Sequence, residues 1–251
     1  MRALITNDDG IDSPGLLALA RAAADAGLEV VIAAPAHEHS GASASIIATQ
    51  GASVTAAGGK GTVRSERRSL PGFETAYAVH AAPALITLLA LHGSFGGTPD
   101  VVLSGINRGA NVGGAIMHSG TVGAALTAAQ GGVRALAVSL DVGLVESSAE
   151  HWETAAVLAR QALARLLGAP AGTVLNLNVP NVADAAGLEL VEAPLAPFGI
   201  VQTTMTEIAG DDVRLSIREH RAEEAPGSDM ERLAAGHATI PAVKTIAQRT
   251  G

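Results

Sequence analysis

The stretch Ala3-Leu4-Ile5-Thr6-Asn7-Asp8-Asp9-Gly10 begins with a short apolar run and ends in a polar turn, as expected of a buried strand that stops at Asn7. Ser13 and Pro14 follow, and they predict the N-cap and first residue of a helix that continues to Gly27. Glu29 to Pro35 is a second apolar run. A strand, a helix and a strand joined by short connections are typical of a doubly wound parallel sheet. This unit therefore predicts an α/β fold.

The same alternation continues along the chain until about residue 185. It predicts helices over 83–91, 121–130 and 151–167, and strands over 99–104, 135–140 and 174–179. Segments 187–207 and 212–218 then alternate like an antiparallel hairpin with its turn at Gly210 to Asp212, before a short helix near 229–235 and a strand near 238–243. We therefore expect an α/β domain in residues 1–185 and a C-terminal arm, helix and strand in residues 186–251.

Composition limits the function. Of the 251 residues 48% are hydrophobic, only 2% are aromatic and none is cysteine, so disulfides, thiolate zinc sites and cysteine nucleophiles are excluded. Any metal must bind through oxygen or imidazole, and oxygen ligands favour Mg²⁺, Mn²⁺ or Ca²⁺. A net charge of −8 argues against a nucleic acid polymer as partner. No apolar run is long enough to span a membrane, and acidic residues follow the N-terminus closely, so we expect a cytoplasmic protein without membrane contacts.

Two polar clusters follow the first two predicted strands. Asp8 and Asp9 stand where a strand of an α/β sheet delivers side chains to a ligand crevice, and Gly10 lets the chain turn so that both carboxylates can reach one ion. The alternative is a helix-capping Asp beside a solvated one. Ser40 to Ser43 offers hydroxyls and glycine amides that could bind a metal or a phosphate, although a plain Ser/Gly loop has the same composition.

Two further clusters lie later in the chain. The loop Ser104 to Gly113 contains Asn107 and Asn111, whose side-chain oxygens are spaced by glycines directly after a strand. Ser119-Gly120-Thr121-Val122 opens a predicted helix, and hydroxyls with free amides at a helix N-terminus form an anion site. An ordinary serine or threonine cap is the alternative for this last segment.

Taken together, these segments resemble the signature of the SurE family, the survival-protein nucleotidases. The matching segments are 7–11, 40–43, 104–111 and 119–122, with further matches at 176–180, 228–229 and 239–241. The resemblance implies a Rossmann-like doubly wound sheet with a C-terminal arm exchanged between subunits of a homodimer or homotetramer. It also implies hydrolysis of nucleoside 5′- or 3′-monophosphates with Mg²⁺ or Mn²⁺.

The resemblance further implies a set of site residues. Asp8, Asp9, Ser40 and Asn107 would bind the metal; Asp8, Asp9 and Asn111 would be catalytic; and Gly41, Ser43, Asn111, His118, Ser119, Gly120 and Thr121 would bind the substrate. The cation would polarise the phosphoryl oxygens and orient or acidify a water molecule, while the helix start would hold the remaining oxygens. Asp8 or Asp9 acting as general base is an open alternative.

The chain departs from the family pattern at several positions. Carboxylates usual in the family are replaced by Gly114, Ala115 and Leu85, and the usual tyrosine before Ser119 is His118, which we interpret as a pocket wall rather than a proton donor. The four expected metal ligands are intact. We therefore expect a metal-dependent phosphatase that acts on nucleoside 5′- or 3′-monophosphates. The alternatives are a related enzyme that acts on a non-nucleotide phosphomonoester and a protein that binds a phosphorylated ligand without catalysis. An aspartyl-phosphate mechanism is disfavoured because Asp8 and Asp9 are adjacent.

Overall fold

The computed structural model describes residues 1–48, 61–143, 149–197, 201–209, 212–219 and 225–245. The strands are β1 Arg2–Thr6, β2 Glu29–Pro35, β3 Ser65–Leu70, β4 Phe73–Val79, β5 Val101–Arg108, β6 Arg134–Asp141, β7 Val174–Pro180, β8 Leu190–Val191, β9 Val201–Ala209, β10 Asp212–Glu219, β11 Ala238–Thr239 and β12 Ala242–Val243. The helices are α1 Pro14–Asp25, α2 Pro83–Leu91, α3 Gly120–Gln130, α4 Trp152–Leu167 and α5 Asp229–Ala234, with a 3-10 helix at Gly113–His118.

The main sheet has the order β3-β4-β2-β1-β5-β6-β7-β11-β8, and β12 also pairs with β7. The six strands from β4 to β7 run parallel to one another, while β3 and β11 are antiparallel to their neighbours β4 and β7. The strand order reverses between β1 and β5, and open α/β sheets bind ligands at such a switch point. The predicted doubly wound α/β sheet is confirmed.

Helices cover both faces of this sheet. Helices α1 and α4 pack on one face, where Ile5 and Leu103 point, and helices α2 and α3 pack on the other, where Leu4 and Val102 point. Neighbouring strand residues point to opposite faces, so a strand buried on both sides must be apolar throughout. This is why residues 3–5 of β1 and residues 101–103 of β5 are continuous hydrophobic runs in the sequence.

Strand β5 continues four residues beyond its predicted end, through a segment that we expected to be loop. Its pairing with β6 shifts register between Ser104 and Asn107, as at a β-bulge. Gly105 has a φ of 132°, and a Cβ atom there would lie 2.2 Å from the carbonyl oxygen of Val138. Only glycine fits this position, so the glycine that suggested a loop instead permits close contact between two strands.

The predicted C-terminal elements are present with shifted bounds. Strands β9 and β10 form a separate antiparallel hairpin, and Gly210 and Asp211 of its predicted turn lie outside the described residues. The predicted terminal strand is divided into β11 and β12 around Pro241, whose ring has no N–H to donate. Strands β8, β11 and β12 join the main sheet. Within the described part of the chain, no helix is long and apolar enough to cross a membrane.

Candidate functional site

A cavity of about 420 Å³ opens beyond the carboxyl ends of β1, β2 and β5. Its lining comes from the loops after β1 and β2, the end of β5, and the segment that leads through the 3-10 helix to α3: Asp8, Asp9, Glu38, Ser40, Gly41, Asn107, Arg108, Asn111, Ala115, His118 and Ser119. All four expected metal ligands are among them. We call this space the catalytic cavity.

Asp8 is held by the first residues of α3. The Thr121 hydroxyl donates to Asp8 Oδ1 at 2.5 Å, and the Thr121 amide donates to Asp8 Oδ2 at 3.1 Å. A Cβ atom on Gly120 would lie 2.7 Å from Asp8 Oδ2, so the helix can approach the carboxylate only because residue 120 is glycine. Burial raises the pKa of Asp8, and the hydrogen bonds from Thr121 act in the opposite direction. The positive end of the helix thus stabilises a buried carboxylate.

A tight turn brings Asp9 to the same cavity. The Asn7 side chain donates to the carbonyl oxygen of Gly10 at 3.0 Å and accepts from its amide at 3.2 Å, and Gly10 has a φ of 103°. Burial, and then the charge of Asp8, raise the pKa of Asp9 to about 7. Its Oδ2 is buried and has no hydrogen-bond partner among the described residues. A buried carboxylate oxygen without a protein partner is available to take up a proton or to bind a cation.

The other two expected ligands supply neutral oxygens. The Asn107 amide nitrogen donates to the carbonyl oxygen of Gly109 at 2.8 Å, which leaves its oxygen for a ligand. The Ser40 hydroxyl donates to Glu38 Oε1 at 2.5 Å, which leaves its lone pairs for the cavity. Within the described ranges, no three His, Asp or Glu side chains form a metal-binding group, so these neutral oxygens would have to complete the coordination. The residues fit a hard cation such as Mg²⁺ or Mn²⁺.

Two buried asparagines of β7 position Asn111. The side-chain oxygen of Asn178 accepts a hydrogen bond from the backbone N–H of Asn111 at 2.8 Å. The side-chain nitrogens of Asn176 and Asn178 donate to the backbone carbonyl oxygen of Asn111 at 2.8 and 2.9 Å. The Asn111 side chain donates to the Ser139 hydroxyl at 2.9 Å. The loop that carries Asn111 is therefore fixed to the sheet by groups that are fully buried. The sequence did not predict this function for Asn176 and Asn178; their only signal was the match at 176–180.

Asp229 fixes the next part of the same loop. Its buried carboxylate accepts the amides of Gly113 at 2.9 Å and Ala196 at 2.8 Å. Burial raises the pKa of Asp229, while these backbone donors favour the ionised form. Ser228 caps the start of α5 by accepting the Glu231 amide, so it sets the direction of this short helix. Sequence reasoning singled out Ser228 and Asp229 only as a family match.

The expected substrate-binding residues fall into two groups. Gly41, Asn111, His118 and Ser119 line the catalytic cavity, whereas Ser43, Gly120 and Thr121 do not. The Ser43 hydroxyl donates to the carbonyl oxygen of Met117 at 2.6 Å, and both donors of Thr121 are directed at Asp8. Ser43 thus ties two loops together, and Gly120 and Thr121 support a carboxylate.

The positions that depart from the family pattern lie in two different places. Ala115 lines the catalytic cavity, but Leu85 is a residue of α2 that packs in the core and is 7% exposed. The loss of a carboxylate at residue 85 therefore affects packing, whereas its loss at residue 115 affects the cavity wall. Sequence reasoning missed two lining residues, Glu38 and Arg108; Arg108 donates to Glu150 at 2.5 Å.

Comparisons with known proteins agree with this geometry. The family model described as "Survival protein SurE" matches residues 3–196. The chain is 40% identical over 194 residues to the 5′-nucleotidase SurE of Xanthomonas campestris pv. campestris (strain B100), covering 76% of this chain and 68% of that relative. It is 39% identical, with the same coverage, to the 5′-nucleotidase SurE of Xanthomonas euvesicatoria. The crystal structure of the SurE protein from Aquifex aeolicus has the same fold, with a TM-score of 0.73 at 23% identity over 99% of this chain and 95% of that one. The chain belongs to the SurE family.

Proposed function

We propose that this protein is a divalent-metal-dependent phosphatase that hydrolyses nucleoside 5′-monophosphates in the catalytic cavity. The observation that carries this proposal is the pair Asp8 and Asp9, two adjacent carboxylates that reach one cavity beside the N-terminus of α3. The name 5′-nucleotidase, borne by relatives at about 40% identity, supports both the enzyme class, phosphoric monoester hydrolase, and the choice of substrate.

The charges of the cavity explain the need for a metal. Asp8, Asp9 and Glu38 line it, and the one arginine among its lining residues, Arg108, already pairs with Glu150. Two unit charges 4 Å apart interact with roughly 4 kcal/mol at an effective dielectric constant of 20, so the carboxylates alone would repel a phosphomonoester dianion. A divalent cation reverses the local potential. We assign Asp8, Asp9, Ser40 and Asn107 as the residues that hold it.

When bound, the cation supplies Lewis-acid polarisation of a phosphoryl oxygen and lowers the pKa of water. The protein residues then differ in what they can do. Both oxygens of Asp8 accept hydrogen bonds from Thr121, so Asp8 is rigidly placed. Asp9 has a buried oxygen without a partner among the described residues, so of the two carboxylates it is the one with an oxygen free to accept a proton from water. We therefore assign metal binding to Asp8, and both metal binding and proton acceptance to Asp9.

The opposite side of the cavity binds the phosphate and its leaving group. Asn111 is fixed by Ser139 and β7, so the second N–H of its amide is preorganised to donate to a phosphoryl oxygen. Ser119 lies at the N-terminus of α3, where an anion is stabilised. His118 is an exposed residue at the end of the 3-10 helix and forms the wall beside the leaving group.

Release of inorganic phosphate from 5′-AMP, 3′-AMP and p-nitrophenyl phosphate, each with Mn²⁺, Mg²⁺ or EDTA, tests the proposal. Loss of a residue that supports a metal ligand lowers activity by up to roughly 100-fold. Asp8→Asn removes a ligand itself, so it should lower activity by more than this. Asp12→Asn is the matched control, because Asp12 is exposed in the same loop and pairs with Arg68 at 3.3 Å. Activity that persists undiminished in EDTA would contradict the metal requirement, and a preference for 3′-AMP would contradict the assigned substrate.

We further propose that residues 186–251 mediate a homodimer or homotetramer and that the enzyme acts in the cytoplasm. The hairpin of β9 and β10 supports the oligomer, since within the described residues these strands pair only with each other. An unsupported two-stranded hairpin is marginally stable in water. Light scattering at micromolar concentration should show a species larger than the 25.0 kDa chain. A monomer that retains full activity would contradict this assignment.

A further inference from the structure

A second cavity, of about 390 Å³, lies on the sheet face that α2 covers. Strands β3 and β4 form its base, and the end of α2 with the following loop forms its wall. It shares no lining residue with the catalytic cavity. We call it the aromatic cavity, because Tyr77 and Phe95 line it beside Arg67.

Two of the five aromatic side chains of the protein meet here. The sequence has one Trp, one Tyr and three Phe, and composition alone argues against a stacking platform. The ring centroids of Tyr77 and Phe95 are nevertheless 4.9 Å apart with their planes tilted by 44°. Phe95 is buried at 6% exposure, whereas Tyr77 is only partly buried and lines open space. The pair therefore presents a fixed aromatic surface to the cavity.

Arg67 supplies the charge of this cavity. Its guanidinium carbon lies 6.0 Å from the centroid of the Tyr77 ring, within the range of a cation–π contact. Among the described residues it has no carboxylate within ion-pair distance, unlike Arg64 and Arg68, which both pair with Glu66. Strand alternation explains the difference: residues 65 and 67 of β3 face the cavity, and residues 66 and 68 face away.

The rest of the lining is neutral. Val63, Leu89 and Ser94 contribute apolar or hydroxyl surface, and no carboxylate is present among the lining residues. A volume near 390 Å³ lies within the range of small-ligand pockets. This lining combines a neutral, partly aromatic surface with one arginine, Arg67, that has no ion-pair partner among the described residues. It matches a ligand that has a flat π-system and one anionic group.

We propose that the aromatic cavity binds a planar aromatic anion of mononucleotide size, with its ring against Tyr77 and its anionic group on Arg67. Stacking on the aromatic ring and pairing with the guanidinium act together, so both the ring and the anion of the ligand are needed for full affinity. A nucleoside monophosphate satisfies both requirements, so the substrate class of this enzyme would have a second, non-catalytic site.

Tyr77 is the only tyrosine of the chain, so 3-fluorotyrosine labels this cavity at a single position. We would titrate the labelled protein in EDTA with 5′-AMP, adenosine and ribose 5-phosphate, and follow the ¹⁹F resonance. Because EDTA removes divalent cations and the readout is not turnover, the result does not depend on phosphatase activity. We expect a saturable shift with 5′-AMP and at least about tenfold weaker binding of the two fragments.

Arg67→Gln should weaken 5′-AMP binding by about tenfold or more, since it removes a charge-assisted contact. Arg64→Gln is the matched control on the same segment, because Arg64 pairs with Glu66 rather than lining the cavity, and it should bind like the wild type. Absence of a ¹⁹F shift with 5′-AMP, an equal shift with ribose 5-phosphate, or equal affinities of the two variants would each overturn the proposal.

Discussion

Replacement of Thr121 by valine isolates the contact that holds Asp8. Valine keeps the shape of the side chain, which is fully buried, and removes the hydroxyl that donates to Asp8 Oδ1 at 2.5 Å. A hydrogen bond to a charged group contributes about 1.5–3 kcal/mol, and here both partners are out of water. We therefore expect the free energy of unfolding of the metal-free protein at neutral pH to fall by about that amount. The pKa of Asp8 should rise further, since the Thr121 hydroxyl acts to lower it.

The control is Thr127→Val on the same helix. The Thr127 hydroxyl donates to the carbonyl oxygen of Gly123 at 2.7 Å, a neutral contact whose loss should cost only about 0.5–1.5 kcal/mol. Urea unfolding in EDTA measures both variants, and Mn²⁺ titration measures the affinity for the cation. Thr121→Val should bind Mn²⁺ about 10- to 100-fold more weakly because the ligand loses its orientation, whereas Thr127→Val should bind it unchanged. Equal effects of the two substitutions on both quantities would refute the assignment of Thr121 as the support of Asp8.

Two further predictions concern the charge of Asp9 and the support of Asn111. The pKa of Asp9 is about 7 in the folded protein against an ordinary 3.8, so in EDTA the stability that its protonation contributes is fully present below about pH 4 and is lost as pH rises through 7. Urea unfolding should show the free energy of unfolding decline by up to roughly 4 kcal/mol over this range, and Asp9→Asn should remove the decline. Asn178→Ala should lower kcat by about 10- to 100-fold with a smaller change in KM, because it releases the backbone of Asn111. Asn181→Ala is its control, since Asn181 bonds the start of α4 instead, and a similar loss of kcat in both variants would argue against the specific function of Asn178.

Much of the sheet could be predicted because its strands are short apolar runs with clear ends. Strands β1 and β2 are apolar runs ended by a polar turn or a proline, and α1 begins at the predicted Ser13 and Pro14. The end of β5 could not be predicted, since Gly105 reads as a loop residue. In the fold Gly105 lies against the backbone of Val138, where a side chain would not fit. Val138 belongs to a strand more than thirty positions later in the sequence.

The meeting of the expected site residues at one cavity could be predicted, because it follows from the order of the parallel strands in the sheet. Asp8 and Ser40 follow β1 and β2, and Asn107 lies at the end of β5; the carboxyl ends of neighbouring parallel strands meet at one edge. Sequence could not show which donors point into the cavity. Thr121 looks like a phosphate-binding residue by position, yet both of its donors face Asp8. Leu85 likewise looks like a lost pocket carboxylate, although it packs in the core.

Hydrogen bonds of Asp229 join the C-terminal part of the chain to the loop that carries Asn111. Asp229 lies more than one hundred residues after Gly113, yet its carboxylate holds the Gly113 amide and, on the other side, the Ala196 amide. One buried charge therefore joins the loop that carries Asn111 to the segment that leads into the hairpin of β9 and β10. Because a buried carboxylate that loses a donor is costly, movement of residues 196 and 113 is coupled through it. If the hairpin assembles with a second subunit, the segment before it is fixed by that contact, and the geometry of Asn111 then depends on the assembled state.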